Sequence, residues 1–135
     1  MKFCFLIAIL FSISSQSSAQ FATDSLSTEE VFYEPEKEAE FPGGLTEWKN
    51  FMIQNVNADV ATNNKARRGK YKVIVRFIVD TDGSISDVVP ETNHGHGMED
   101  EVVRVIKTGP KWIPAMQDGT NVKAYHRQPI TFVVR

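Results

Sequence analysis

Between residues 70 and 89 the sequence commits to a hairpin. Tyr71, Val73, Val75, Phe77 and Val79 alternate with Lys70, Lys72, Ile74, Arg76 and Ile78, the period-two pattern of a strand with one face in a core. Thr81-Asp82-Gly83-Ser84 then supplies turn chemistry, because Gly83 takes the positive φ that ends a short hairpin loop. Residues 85–89 return antiparallel, and Pro90 closes the second strand.

The elements on either side of the hairpin read differently. After Phe41-Pro42-Gly43-Gly44, the residues Leu45, Trp48, Phe51, Met52 and Val56 recur at spacings of three and four, which predicts a helix over 45–56 with one buried face. Asn55, Asn57, Asn63 and Asn64 mark a loop. Beyond the hairpin, Asn93-His94-Gly95-His96-Gly97 reads as a flexible loop, and Met98, Val102, Val105 and Ile106 line one face of a second helix. Glu99, Asp100 and Glu101 in its first turn, with Arg104 and Lys107 in its last, complement the helix dipole. Gly109-Pro110 stops it, and Lys111-Trp112-Ile113-Pro114 turns the chain back. In the last segment Val122, Ala124, Ile130, Phe132 and Val134 share one parity, while Lys123, Tyr125, Arg127, Thr131 and Arg135 share the other. That is a third strand. Pro129 cannot donate a ladder hydrogen bond, so the strand belongs at an edge or carries a bulge. The order helix, strand, strand, helix, strand predicts an α+β two-layer sandwich: a three-stranded antiparallel sheet with two helices on one face.

With 135 residues, of which 41% are hydrophobic, there is material for one small core, and a (β/α)8 barrel of roughly 250 residues is excluded. Lys2, the apolar run over 3–13 and the small residues Ser17-Ser18-Ala19 predict a signal peptide cleaved after Ala19. The alternative, an uncleaved anchor, is disfavoured because the run is too short to cross a hydrocarbon core of about 30 Å. Cys4 lies inside that signal, so the exported chain has no thiol and no disulfide. Residues 20–40 carry seven acids against Lys37 alone, a net charge of −6, and read as an acidic, flexible, solvated leader. A β-prone patch at Val31-Phe32-Tyr33 interrupts it, with docking onto the domain and solvation as open alternatives. Residues 41–135 form the domain, with 13 bases and 10 acids for a net +3. That charge is too diffuse to argue for a nucleic-acid partner, and the densest basic cluster, Lys65, Arg67, Arg68, Lys70 and Lys72, reads as a solvated loop leading into a strand.

Catalytic chemistry finds little support. His94 and His96, with Glu91, Glu99 or Asp100 near in sequence, are the only metal-ligand candidates, and two imidazoles at i and i+2 without a third fixed ligand lack the geometry of a metal centre. Asp80 and Asp82 read as turn formers. Ser84 and Ser86 have no histidine at a motif spacing, and Trp48 and Trp112 read as core anchors. No catalytic residue, metal or cofactor is expected. What remains is the edge of the third strand, where unpaired N–H and C=O groups can be completed by a partner strand. The candidate contact residues there are Tyr125, Arg127, Thr131 and Val133.

Five motifs in order carry a resemblance: Phe41-Pro42-Gly43-Gly44 before a helix with Trp48 and Phe51; the strand and turn from Val73 through Asp82-Gly83 to Val88; the helix Glu101-Val102-Val103-Arg104-Val105-Ile106-Lys107; Pro110-Lys111-Trp112-Ile113-Pro114; and Gln128-Pro129-Ile130-Thr131-Phe132. Together they resemble the C-terminal domain of TonB in the form common among Bacteroidetes. The resemblance implies a periplasmic domain that captures the extended TonB box peptide of outer-membrane receptors by strand addition. It also implies coupling of the inner-membrane proton-motive force, through an ExbB/ExbD-type complex, to import. Members that transmit force carry a membrane anchor and a long spacer, whereas a leader over 20–40 reaches at most ~75 Å, so a stand-alone periplasmic binding domain is the expected form. The alternative is a periplasmic structural or inhibitory domain with no transport role.

Overall fold

The computed structural model describes residues 29–135. The expected signal over 1–19 and the leader as far as residue 28 lie outside the described residues.

Helix α1 (Gly44–Asn55) starts behind Gly43, which holds φ 86°. A four-residue helix α2 (Val60–Asn63) follows, then strands β1 (Gly69–Val79) and β2 (Ile85–Pro90) and helix α3 (Met98–Thr108). The chain ends in three strands, β3 (Ala115–Gln117), β4 (Thr120–Val122) and β5 (Ala124–Val134). The main sheet runs β2-β1-β5, antiparallel throughout, and β3 and β4 pair as a separate two-stranded sheet. The two-layer α+β sandwich expected from the alternation is therefore present.

Periodicity explains the core. The odd residues Val73, Val75, Phe77 and Val79 of β1 are buried against Met98, Val102, Val105 and Ile106 of α3. Burying each such side chain contributes about 1.5–3 kcal/mol. Trp112 sits among aromatics, with ring centroids 5.4 Å from Trp48, 5.6 Å from Phe41, 5.1 Å from Phe77 and 4.9 Å from His126. Both tryptophans are core anchors, as their positions predict.

Four expectations change. Leu45 has the spacing of a core residue yet is 65% exposed, because the buried side of α1 is carried by Trp48 and Met52. The asparagine-rich loop contains α2, whose Ala61 is fully buried. The single final strand is preceded by the β3–β4 hairpin, closed by Asp118 and Gly119 at φ 50° and 74°, the paired positive φ values of a tight two-residue turn. Val122 thus belongs to β4 and not to β5.

The fourth concerns residues 29–40 of the leader and the histidine loop, which are pinned. Phe32 bridges Ala124 in parallel, and Lys37 and Glu40 bridge Met116 and Ile113 in antiparallel fashion. Ala39 is buried and Phe32 packs against the core, so apolar contacts and backbone pairing hold a segment whose charge alone suggests solvation. In the loop before α3, His94 Nε2 lies 2.8 Å from the Lys72 carbonyl and His96 Nδ1 lies 2.9 Å from that of Asn64. Each ring nitrogen donates to a carbonyl. The Glu99 carboxylate accepts the N–H groups of His94 and Gly95 and the Thr92 hydroxyl.

Candidate functional site: the open edge of β5

The two edges of the main sheet differ. β2 pairs with β1 through an irregularity between Arg76 and Ile78, where Asp87 takes φ 48°. One extra residue there makes a bulge, which blunts an edge against pairing with another chain. β5, by contrast, pairs residue for residue with β1 from Gly69↔Val134 to Val79↔Ala124. Its register with β1 is unbroken over its whole length.

Which backbone groups of β5 point outward follows from β1. The Ile74 N–H donates to Thr92 Oγ1 at 3.2 Å, its carbonyl accepts from Glu91 N–H, and the Lys72 carbonyl accepts from His94. Ile74 and Lys72 therefore face away from β5. Their partners Pro129 and Thr131 turn their own polar groups to the outer edge, because paired residues in an antiparallel ladder alternate between bonded and non-bonded. The same alternation sends Tyr125, Arg127 and Val133 outward. Tyr125 confirms it at the other end, since its N–H donates to the Phe32 carbonyl at 2.9 Å, while Phe32 N–H donates to the Lys123 carbonyl at 2.9 Å. Pro129 occupies an outward position, where its missing N–H costs the β1 ladder nothing.

The four candidate residues share one row, and their surroundings differ. Tyr125 is covered: Tyr33 stacks on it with centroids 4.5 Å apart, and the Arg76 guanidinium lies 5.0 Å from its ring centroid. Arg127 Nε donates to Glu91 at 2.7 Å. Arg76 stands directly opposite Arg127, a like-charged pair that Glu91 relieves on one side and the Tyr125 ring on the other. Thr131 is exposed and Val133 is half exposed. Among the described residues nothing accepts the outward N–H groups of Arg127, Thr131 and Val133.

Two further elements line the edge. One is the leader, which closes the edge at its Tyr125 end and was signalled by the Val31-Phe32-Tyr33 patch. The other is α1. Between it and β5 runs a groove of about 410 Å³ lined by Leu45, Trp48, Met52, Ile53 and Ile130, with Lys49 at its rim. Also on β5, His126 packs against Trp112 and Phe77. Burial pushes the His126 pKa down, against the opposing effects of Gln128 and of Glu38 at 3.9 Å. It is therefore a neutral core ring at pH 7.

Among the described residues no three His, Cys, Asp or Glu side chains gather as a metal site, and no helix is long and apolar enough to cross a membrane. The arrangement offers backbone donors and acceptors beside an apolar groove.

Comparison with curated proteins gives no match. A family model does match: that of the Gram-negative bacterial TonB protein C-terminal region, over residues 63–134. The match spans more than half of the chain, from the end of α2 through β5, and takes in the whole main sheet, α3 and the β3–β4 hairpin. The chain belongs to the TonB C-terminal family, a family of transport and energy transduction.

Proposed function

We propose that this domain is a periplasmic binding module that captures an extended peptide of TonB-dependent outer-membrane receptors by adding it to the edge of β5. The observation that carries the reading is the row of outward N–H and C=O groups from Arg127 to Val133, unpartnered among the described residues. Each backbone hydrogen bond made there is worth about 1 kcal/mol net, so a few of them with one or two side-chain contacts give a weak, reversible complex. Reversibility suits a protein that must engage and release receptors. Export by the signal over 1–19, cleaved after Ala19, is part of the same proposal.

The test exploits the direction of single N–H groups. Thr131→Pro removes an outward donor, and Phe132→Pro removes an inward one that bonds β1. We expect Thr131→Pro to melt within a few degrees of the parent while binding fluorescent receptor box peptides at least tenfold more weakly in anisotropy titrations. Phe132→Pro should unfold. A Thr131→Pro protein that binds those peptides like the parent would remove strand addition at this edge from consideration.

A further inference from the structure

Resting on that reading, we propose that the edge of β5 selects its partner by side chains as well as by backbone. The geometry points to an extended partner segment in which apolar residues alternate with acidic ones. The apolar row fills the groove beneath α1, and the acidic row faces Lys70 and Lys72 across β5.

An added strand presents alternate side chains to the two faces of the sheet. On the helix side it meets the groove between α1 and β5. Leu45 and Ile53 stand there 65% and 80% exposed, next to the buried Trp48 and Met52 and the half-buried Ile130. Leu45 keeps the spacing of a core residue while nothing described covers it. Helix α1 is apolar on a side where the sheet has ended, and one further strand beside β5 would supply the missing cover.

On the opposite side the chemistry changes. Lys72 stands opposite Thr131 and Lys70 opposite Val133, both lysines are exposed, and among the described residues neither has a carboxylate partner. Arg127 precedes them along the edge and Arg135 follows. An added strand would lie two strand spacings, about 10 Å, from β1 with β5 between them, so each lysine, extended over Thr131 or Val133, meets an acidic side chain that reaches back across β5.

This charge pattern also decides between occupants. A second copy of the chain paired through β5 would gather the cations of both copies on one face with no acidic row between them, an unfavourable arrangement. Of the leader upstream of Phe32, the described residues 29–31 run toward β4, where Glu29 meets Lys123, and so away from Thr131. A foreign segment with acids on one row satisfies both faces at once.

The experiment titrates the purified protein with three labelled nine-residue peptides of matched length: one alternating Asp with Val or Leu, one with the same residues in blocks, and one alternating Lys with Val or Leu. The alternating acidic peptide should bind at least tenfold tighter than either of the others. Lys70→Glu with Lys72→Glu should reverse the preference toward the lysine peptide. Leu45→Asp with Ile53→Asp, at two exposed positions whose effect on folding is checked by thermal melts, should weaken the acidic peptide about tenfold. Equal binding of all three peptides would overturn side-chain selection and leave strand addition standing. No binding of any of them, with receptor peptides also failing to bind, would overturn both. A dimer in sedimentation that Thr131→Pro dissolves, or binding that appears only when residues 20–28 are removed, would assign the edge to a second copy or to the chain's own leader and overturn the proposal.

Discussion

Tyr33 lies on Tyr125 with ring centroids 4.5 Å apart and planes 29° from parallel, and this stack sets where the open edge of β5 begins. Beneath it the Phe32 backbone takes the Tyr125 N–H and the Lys123 carbonyl. The chain thus adds a short strand of its own to the edge proposed for a partner, and the two compete for the Tyr125 end.

Removing the leader through Tyr33 should therefore have opposite effects on folding and on binding. The stack is worth about 0.5–1.5 kcal/mol and each backbone bond about 1 kcal/mol, so the truncated protein should be less stable by about 2 kcal/mol in urea titrations. Peptides long enough to reach Tyr125 should bind severalfold tighter, and peptides that stop at Arg127 should be unaffected. Unchanged affinity for the long peptides would mean that leader and partner do not share the edge.

A second prediction concerns the turn between β1 and β2. Gly83 has φ 85°, and a Cβ placed on it would lie 2.0 Å from the Trp112 carbonyl oxygen, while Trp112 N–H donates to the Gly83 carbonyl at 2.8 Å. The glycine couples the hairpin to the aromatic core. Gly83→Ala meets both the left-handed penalty of about 1–2 kcal/mol and a clash with rigid backbone, so it should cost at least about 2 kcal/mol in chemical denaturation. The near-ultraviolet signal of Trp112 should change with it. A loss below about 0.5 kcal/mol would show that the turn and the Trp112 segment move apart freely.

How far the sequence carries depends on how many residues each pattern has. β1 runs over eleven residues and α3 over eleven, enough for period two or 3.6 to declare itself, and both were legible. Asp118-Gly119 is also a hairpin signal, but its flanking strands have three residues each, too few for alternation to show. β4 consequently merged with β5 in the reading. The outward direction of β5 was foreshadowed by Pro129, whose missing donor restricts it to an edge. Exposure of Leu45 and Ile53 was not legible, because helical spacing says which residues share a face and not how far the sheet extends beneath it. In the leader, charge points to solvation while the Val31-Phe32-Tyr33 patch leaves docking open; over residues 29–40, Phe32 and Ala39, the backbone, and Glu29 and Glu36 make the contacts. His94 and His96 bond carbonyls of two different elements, pairings that span 22 and 32 residues and leave no local pattern.

The processing proposal has a direct readout. Intact-mass spectrometry on periplasmic material should give a chain that begins at Gln20, without Cys4. A mass that retains residues 1–19 would restore the anchor alternative.

The final prediction concerns Glu99, one of the acids that opens α3. Its carboxylate is buried, which pushes its pKa up, but the N–H groups of His94 and Gly95, its own backbone N–H and the Thr92 hydroxyl outweigh that effect and hold the pKa below the ordinary glutamate value. The folded chain thus binds this proton less readily than the unfolded one. The stabilisation is present in full above the unfolded value of about 4.3 and is lost as pH falls through the lower folded value. Glu99→Gln keeps the shape and loses the charge, so bonds to an ionised acceptor become bonds to an amide, at a cost of about 1–3 kcal/mol at pH 7. Urea titrations of parent and variant at a series of pH values should show the gap between them closing below about pH 4, as the parent's carboxylate is protonated. The loop that Glu99 holds also presents Thr92 and His94 to Ile74 and Lys72 of β1, so amide exchange of Ile74 should quicken in the variant. A stability gap that stays constant from pH 7 to pH 3 would mean that the charge of Glu99 contributes nothing and that only its shape matters to the loop.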